Sequence, residues 1–198
     1  MDDSRIEEIR TAVINRYAGV ARSPRPSFSY ATGREGLLKS GYEQAFIDLL
    51  PLSVAESFCG VADPLMAGEI RPGETILDVG CGAGVDVIRA ALKSGPEGVA
   101  YGVDLTAAMV QRATDNIALM KLTNARVVEA AAESLPFPDE TFDVVTSNGV
   151  LNLSPQKREC FAEIRRVLKP GGRLYLADMI LEGDALSESR CDLDAWSA

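Results

Sequence analysis

The chain contains a short apolar run that passes through a glycine-rich turn into a helical segment. Residues 74–84 have the sequence ETILDVGCGAG, with Asp78 at the end of the apolar run. Glycine lets the backbone approach a ligand closely, and a helix start offers free N–H groups and the positive end of its dipole. The pattern therefore predicts a nucleotide-like ligand at Gly80, Gly82 and Gly84, although such a turn also occurs for tight packing alone.

A carboxylate at the end of the next apolar run strengthens this interpretation. Asp104 follows the run Val99–Val103 and lies twenty residues after Gly84. At this place in a parallel α/β fold, a carboxylate accepts hydrogen bonds from ribose hydroxyls. The dinucleotide fingerprint requires Gly-x-Gly-x-x-Gly, whereas this chain has Gly-x-Gly-x-Gly. An NAD-dependent oxidoreductase is therefore disfavoured.

From residue 71 onwards, short apolar runs alternate with helical stripes, which is typical of βαβ units on a parallel sheet. Thr106 is placed to cap one helix, and Ser154 and Pro155 to open another that Pro170 stops. Continuous apolar strands indicate a sheet that is covered on both faces. We expect an α/β fold with a Rossmann-like, doubly wound, mostly parallel sheet. Its predicted strands are Thr75–Val79, Val99–Val103, Arg126–Glu129, Asp143–Ser147 and Arg173–Asp178.

The first 70 residues are predicted to be a helical segment that covers the ligand. Ser4 and Glu7 match a capping box, and apolar residues recur on one helical face as far as Tyr17. Arg71-Pro72-Gly73 then forms a turn before the first strand. The predicted organisation is a helical segment at 1–70, a sheet domain at 71–181 and an acidic tail at 182–198.

The composition excludes several kinds of chemistry and partner. The chain has no histidine, so no imidazole base and no His-based metal site is available. Its net charge of −9 disfavours nucleic acid, because phosphate contacts need a basic field. Four scattered cysteines without a Cys-x-x-Cys pair argue against a zinc site and a disulfide framework, so no metal is expected. The Met-Asp-Asp start and the lack of an apolar run near ~20 residues predict a cytoplasmic protein without a membrane partner.

Five segments, in one order and at characteristic spacing, resemble the class I S-adenosylmethionine-dependent methyltransferases over about residues 60–181. They are LDVGCGAG, GVDLTAAM, AESLPFPDETFDVV, SNGVLNL and RVLKPGGRL. The resemblance implies the class I methyltransferase fold, S-adenosyl-L-methionine as cofactor, and methyl transfer to a small-molecule acceptor. It identifies no catalytic residue. We expect Tyr17, Tyr30 and Glu35 to be the N-terminal candidates for substrate contact.

The resemblance also implies roles for particular residues. Asp78 would orient the methionine part of the cofactor, and the turn backbone would lie against its amino acid and ribose portions. Asp104 would hold the ribose hydroxyls, while Asn148 and Val150 would contact the methionine amino group and line the methyl-transfer face. The implied cofactor-binding residues are Asp78, Gly80, Cys81, Gly82, Gly84, Asp104, Leu105, Met109, Ala132, Glu133, Asn148 and Val150.

Adenine recognition departs from the family pattern. Family members often place an acidic residue where this chain has Ala131, to accept from the adenine amino group. We expect Glu133 or a backbone carbonyl to replace it, or adenine to be held mainly by packing.

Within that class, the chain resembles the arsenite methyltransferases through DPL, GVDLTAAM and SNGVLNLSPQK. Those enzymes hold trivalent arsenic with thiolates, one of them at the position of Gly149, and their adjacent-cysteine signature has no counterpart in Ser23–Tyr30. A soft ion requires two or three thiolates, and the four cysteines here, Cys59, Cys81, Cys160 and Cys191, do not match the missing positions. Without histidine to deprotonate a hydroxyl, we expect a soft or already anionic acceptor.

The family usually adds two more strands after the fifth, but only residues 181–198 follow it here. On this resemblance we expect missing C-terminal strands and a truncated product. The alternative function is then a fragment that binds S-adenosylmethionine without transferring a methyl group. An uncovered fifth strand would also favour a homodimer through the sheet edge.

Overall fold

The computed structural model describes residues 2–23 and 28–180, and these contain one five-stranded parallel sheet. The spatial order of the strands is β3-β2-β1-β4-β5, so the chain reverses its direction of travel across the sheet after β3. In parallel α/β sheets, ligands bind outside the carboxyl ends of the strands on either side of such a reversal, here β1 and β4. The strands are β1 (Thr75–Val79), β2 (Val99–Asp104), β3 (Ala125–Glu129), β4 (Phe142–Asn148) and β5 (Leu168–Ala177).

Seven α-helices accompany the sheet in the described residues. Four helices precede β1, and each of the other three connects two strands. Two 3₁₀ turns, Pro64–Ala67 and Leu151–Leu153, complete the regular structure of this part. The helices are α1 (Asp3–Val20), α2 (Gly33–Lys39), α3 (Gln44–Leu49), α4 (Leu52–Ala55), α5 (Val85–Ser94), α6 (Ala107–Leu119) and α7 (Lys157–Val167).

Both faces of the sheet are buried, which confirms the doubly wound fold. On one face, Ile76 of β1 packs in a core with α5 and with residues of α2 to α4. On the other face, Leu77 and Val145 pack with Ile164 and Val167 of α7. Successive residues of β1 thus enter opposite cores, which accounts for a continuous apolar run rather than an alternating one.

The predicted capping of the first helix is wrong. The helix begins at Asp3, and the carboxylate of Asp2 accepts from the backbone N–H of Arg5 at 2.9 Å. Asp2 therefore fills the cap position two residues before Ser4, because an earlier carboxylate caps equally well and adds helical residues.

The fifth strand begins earlier than predicted. Leu168 already pairs with Phe142, and regular pairing then resumes between Arg173 and Val144 after an irregularity. The predicted acidic tail at 182–198, with Cys191 and the question of further strands, lies outside the described residues. Within the described residues, no helix combines the length and apolar character needed to cross a membrane.

Candidate functional site

A cleft at the carboxyl ends of β1, β2 and β4 has a volume of about 1030 Å³ when its open, solvent-filled mouth is included. We call it the cleft below; its walls also include residues of α1 and of the segment 57–60 that precedes β1. Ten of the twelve predicted cofactor-binding residues line it: Asp78, Gly80, Cys81, Gly82, Asp104, Leu105, Ala132, Glu133, Asn148 and Val150. Gly84 and Met109 are not among its lining residues.

The glycines of the turn have different tasks. Gly80 and Gly82 both have positive φ, +72° and +51°. A Cβ on Gly80 would clash with the side chain of Val150, so this glycine allows the segments that follow β1 and β4 to approach each other. A Cβ on Gly82 would meet no described atom within 4 Å, which leaves its backbone open to the cleft. A ligand can therefore approach the main chain at Gly82.

Gly84 serves helix packing. It has a φ of +83° and stands at the N-cap of α5. A Cβ there would lie 2.9 Å from the Cβ of Ala113 in α6. The third glycine of the turn thus permits close contact between two helices, which is the packing role that the sequence left open.

Asp104 is held by backbone donors on both sides. Its Oδ2 accepts from the N–H of Gly82 and its Oδ1 from the N–H of Thr106, each at 2.9 Å. Burial raises the pKa of Asp104, while these hydrogen bonds act in the opposite direction. The side chain of Thr106 also hydrogen-bonds to this carboxylate, so three of its four lone pairs have protein partners. Asp104 lines the cleft, and its remaining lone pair can accept from a ligand hydroxyl.

Two more carboxylates stand at the floor of the cleft. Asp78 is buried, and its Oδ1 accepts from Oγ1 of Thr146 on β4 at 2.7 Å. Asp86, in the first turn of α5, accepts from the hydroxyl of Tyr42 at 2.6 Å. Burial raises the pKa of both carboxyls, and the charge of Asp86 raises that of Asp78 further. Ionisation of these two carboxyls is therefore unfavourable, and a cationic ligand group nearby would offset that cost.

Glu133 connects the loop after β3 to two other elements. Its Oε1 accepts from the hydroxyl of Ser154 at 2.5 Å, and its Oε2 lies 3.6 Å from the guanidinium of Arg10. Arg10 also donates to the side chain of Gln156 at 3.0 Å. Helix α1 is thereby tied to the sheet domain at one end of the cleft.

Of the N-terminal substrate-contact candidates, only Tyr17 lines the cleft. Tyr30 lies behind it and donates through its hydroxyl to the carbonyl of Cys59 at 3.0 Å. Glu35 is on the surface of α2, where it pairs with Lys39 at 2.7 Å.

Sequence reasoning missed several residues of the cleft wall, among them Arg10, Cys59 and Asp86. Asp86 has a local signal, because an acidic residue directly after the glycine turn enters the first turn of the helix. Cys59 has none, since its partners come from distant parts of the chain. Burial raises the pKa of Cys59 to about 12, and the charges of Asp104 and Asp86 add to this effect. The thiol is therefore neutral at physiological pH. Among the residues that the structure describes, no group of three or more His, Cys, Asp or Glu side chains is placed to hold a metal ion.

Comparison with known proteins agrees with this architecture. A family model described as a methyltransferase domain matches residues 70–196. The chain belongs to this methyltransferase family, which confirms the family predicted from the five segments.

Three individual methyltransferases illustrate which proteins the chain is similar to. The arsenite methyltransferase of Halobacterium salinarum is 34% identical over 96% of this chain and 52% of its own length. A demethylmenaquinone methyltransferase of Geobacillus is 34% identical over 57% of this chain and 48% of its own length. The crystal structure of an arsenic(III) S-adenosylmethionine methyltransferase from Chlamydomonas reinhardtii covers 77% of this chain and 55% of that protein, with a TM-score of 0.66 and 32% identity. The chain thus spans about half the length of the curated relatives it matches.

Proposed function

We propose that the chain binds S-adenosylmethionine in the cleft and transfers its methyl group to a small-molecule acceptor. The observation that carries this proposal is the joint placement of the open Gly82 backbone and the Asp104 carboxylate, whose Oδ2 accepts from Gly82 at 2.9 Å. The similarity to an S-adenosylmethionine methyltransferase of known structure supports the same donor. When bound, this cofactor supplies an electrophilic methyl group on a sulfonium.

The cleft residues fit the parts of such a donor. Asp104 would accept from the ribose hydroxyls, and the backbone at Gly80 and Gly82 would lie against the neighbouring atoms. Asp78, buried and with a raised pKa, would gain from a cationic ammonium or sulfonium nearby. Glu133, which has an oxygen facing Arg10, would serve the nucleobase amino group in place of an acid at Ala131.

The protein's contribution to the reaction is mainly positioning and exclusion of water. Holding two reactants in line supplies roughly 7–11 kcal/mol of barrier reduction. The described walls offer no imidazole that could deprotonate a hydroxyl group, because the chain has no histidine. We therefore expect a soft or already anionic acceptor, which needs no base.

The cleft wall contains one soft group in the thiol of Cys59, which would have to lose its proton to bind an arsenic(III) acceptor. The relative from Halobacterium salinarum is named for arsenite, a soft acceptor, and the one from Geobacillus for a quinone. The described part of the chain also contains Cys81 in the cleft and Cys160 away from it. We infer a trivalent arsenic or thiol acceptor as the first class to test, with quinols second.

The predicted organisation enters the proposal as follows. Helix α1 contributes Arg10 and Tyr17 to the cleft, which supports a covering role for the segment 1–70. The sheet domain 71–181 would hold the donor. β5 pairs with β4 alone in the described residues, which supports a homodimer through its free edge.

A methyl-transfer screen tests the proposed function. The purified chain is incubated with S-adenosylmethionine carrying a labelled methyl group and with arsenite, small thiols or quinols in turn. We expect label in one of these acceptors, and its loss in Asp104→Ala. Donor binding with no transfer to any acceptor class would contradict the transferase and favour a binding fragment.

A further inference from the structure

The side-chain amide of Asn148 uses its whole hydrogen-bonding capacity inside the protein. Its Oδ1 accepts from the backbone N–H of Val61 at 2.8 Å and of Ala62 at 3.3 Å. Its Nδ2 donates to the carbonyl of Ala62 at 2.7 Å and lies 3.0 Å from Asp86 Oδ2 and 3.1 Å from the Tyr42 hydroxyl. A primary amide has two donor hydrogens and one carbonyl oxygen with two lone pairs. No donor or lone pair of Asn148 is left for a ligand.

Residues 60–62 and the end of β4 also pack against each other without space between them. A Cβ on Gly60 would overlap the amide of Asn148, and Gly60 is therefore the residue that allows this approach. Gly149 has a φ of +71°, and a Cβ there would lie 3.2 Å from the side chain of Val61. Residues 60–62 therefore lie directly against the end of β4, independently of the hydrogen bonds.

This contact fixes one wall of the cleft. Phe58, Cys59 and Gly60 line the cleft, and Asn148 holds the two residues that follow them. On the other side, Tyr30 holds the carbonyl of Cys59 at 3.0 Å. Cys59 therefore lies between two hydrogen-bonded positions of the backbone, its own carbonyl and residues 61–62.

We propose that Asn148 is a positioning residue that holds residues 59–62 against the cleft, and that it is not a ligand of the methyl donor. The inference rests on the proposed function, because it assigns this wall to the acceptor side of the same cleft. The end of β4 would contribute to catalysis by keeping residues 59–62, and with them the Cys59 side chain, in place on the cleft wall. The contact with the methionine amino group that the family resemblance implies is then made by other groups.

Reactivity of the Cys59 thiol in Asn148→Ala tests the proposal without requiring methyl transfer. Cleavage by a glutamate-specific protease after Glu56 and Glu69 gives a peptide in which Cys59 is the sole cysteine, so its alkylation by iodoacetamide is followed by mass spectrometry. We expect the alkylation rate at pH 8 to rise about tenfold or more. The reason is that residues 59–62 are then no longer held, which lowers the raised pKa of the Cys59 thiol. A pKa lower by one raises the thiolate fraction about tenfold. The affinity for S-adenosylhomocysteine should stay within about threefold of the unaltered chain.

Asn124→Ala is the matched control. Its amide nitrogen lies 2.9–3.2 Å from three backbone carbonyl oxygens, those of Ala91, Gly95 and Gly98. Asn124 directly precedes β3, and therefore lies at the amino end of the sheet, opposite the cleft. We expect a similar loss of stability from this variant and no change in Cys59 alkylation.

Asn148→Asp provides a second variant should Asn148→Ala fail to fold. Aspartate keeps an oxygen for the two backbone N–H groups but faces Asp86 and the Ala62 carbonyl with an acceptor. We expect faster Cys59 alkylation here as well.

Three outcomes would overturn the proposal: unchanged Cys59 alkylation in the Asn148 variants, the same acceleration in Asn124→Ala, or loss of S-adenosylhomocysteine binding on removal of the amide. Failure of the unaltered chain to bind S-adenosylhomocysteine would count against the proposed function instead, and the alkylation result would still decide the role of Asn148.

Discussion

The backbone N–H of Gly82 donates to the Oδ2 of Asp104 at 2.9 Å. This hydrogen bond joins the turn after β1 to the end of β2, so the glycine turn and the carboxylate form one unit. Twenty-two residues separate the two groups in sequence. Their direct contact is the physical basis for treating the two sequence signals as a single ligand site.

Gly82→Ala is expected to lower the affinity for S-adenosylhomocysteine about tenfold or more, because the methyl group fills the space in which a ligand meets the backbone. The residue has a φ of +51°, so the substitution also costs about 1–2 kcal/mol of stability. Calorimetric titration and thermal unfolding measure the two effects separately.

Gly95→Ala is the control for that prediction. Gly95 follows α5, has a φ of +69° and likewise shows no described atom within 4 Å of a Cβ. Gly95→Ala should lose about as much stability as Gly82→Ala and keep its affinity for S-adenosylhomocysteine. Equal affinity losses in the two variants would mean that strain, rather than the cleft, explains the effect.

Gly84→Ala is expected to reduce stability by about 2–4 kcal/mol, from strain and from overlap with Ala113. Replacing Ala113 by glycine removes the Cβ that a methyl group at position 84 would contact. In a double-mutant cycle, the cost of Gly84→Ala should therefore fall by about 1 kcal/mol in the Ala113→Gly background. Strict additivity of the two unfolding free energies would show that the helices can separate.

Asp78→Asn is expected to stabilise the ligand-free protein at neutral pH and to weaken binding of the cationic S-adenosylmethionine. Burial raises the pKa of Asp78, so the folded chain binds its proton more tightly than the unfolded chain does. This carboxyl therefore costs stability increasingly as pH rises above its unfolded value near 3.8. Thr146 can still donate to the asparagine oxygen.

Unfolding midpoints of the two proteins from pH 4 to pH 8 test this prediction. Removing Asp78 should raise the midpoint more at pH 8 than at pH 4. Asp143→Asn is a control with the opposite sign, because hydrogen bonding to Lys169 lowers the pKa of Asp143 despite partial burial. Asp143→Asn should lower the unfolding midpoint at pH values above the ordinary pKa of a carboxyl group.

Cys59→Ser is expected to reduce transfer to arsenite or a thiol acceptor at least about tenfold, since it removes a soft group from the wall. Cys160→Ser is the matched change, because Cys160 is buried on α7 outside the cleft lining. Equal activity of the two variants would contradict an acceptor placed beside Cys59.

The sheet was largely predictable and the cleft wall was not. The bounds of β1 match because its apolar run ends at glycine, a strong local signal. β5 was predicted to begin late because Pro170 and the two glycines after it resemble a helix stop, whereas Leu168 already pairs with β4. The contacts of Asn148 reach residues more than sixty positions away, and no local periodicity encodes them.

Pairing through the edge of β5 predicts a dimer in solution. Leu176 on this strand is 38% exposed, and Leu176→Lys should shift the mass measured by light scattering towards the monomer. A monomeric unaltered chain at high concentration would contradict edge pairing.

Titration with S-adenosylhomocysteine tests the central claim most directly. The unaltered chain and Asp115→Ala, which changes an exposed carboxylate on α6, should bind it, with NAD giving no heat. Asp104→Ala should weaken binding by about tenfold or more, through loss of hydrogen bonds to a charged group. Equal binding by Asp104→Ala, or a preference for NAD, would contradict an adenosyl donor held by Gly82 and Asp104.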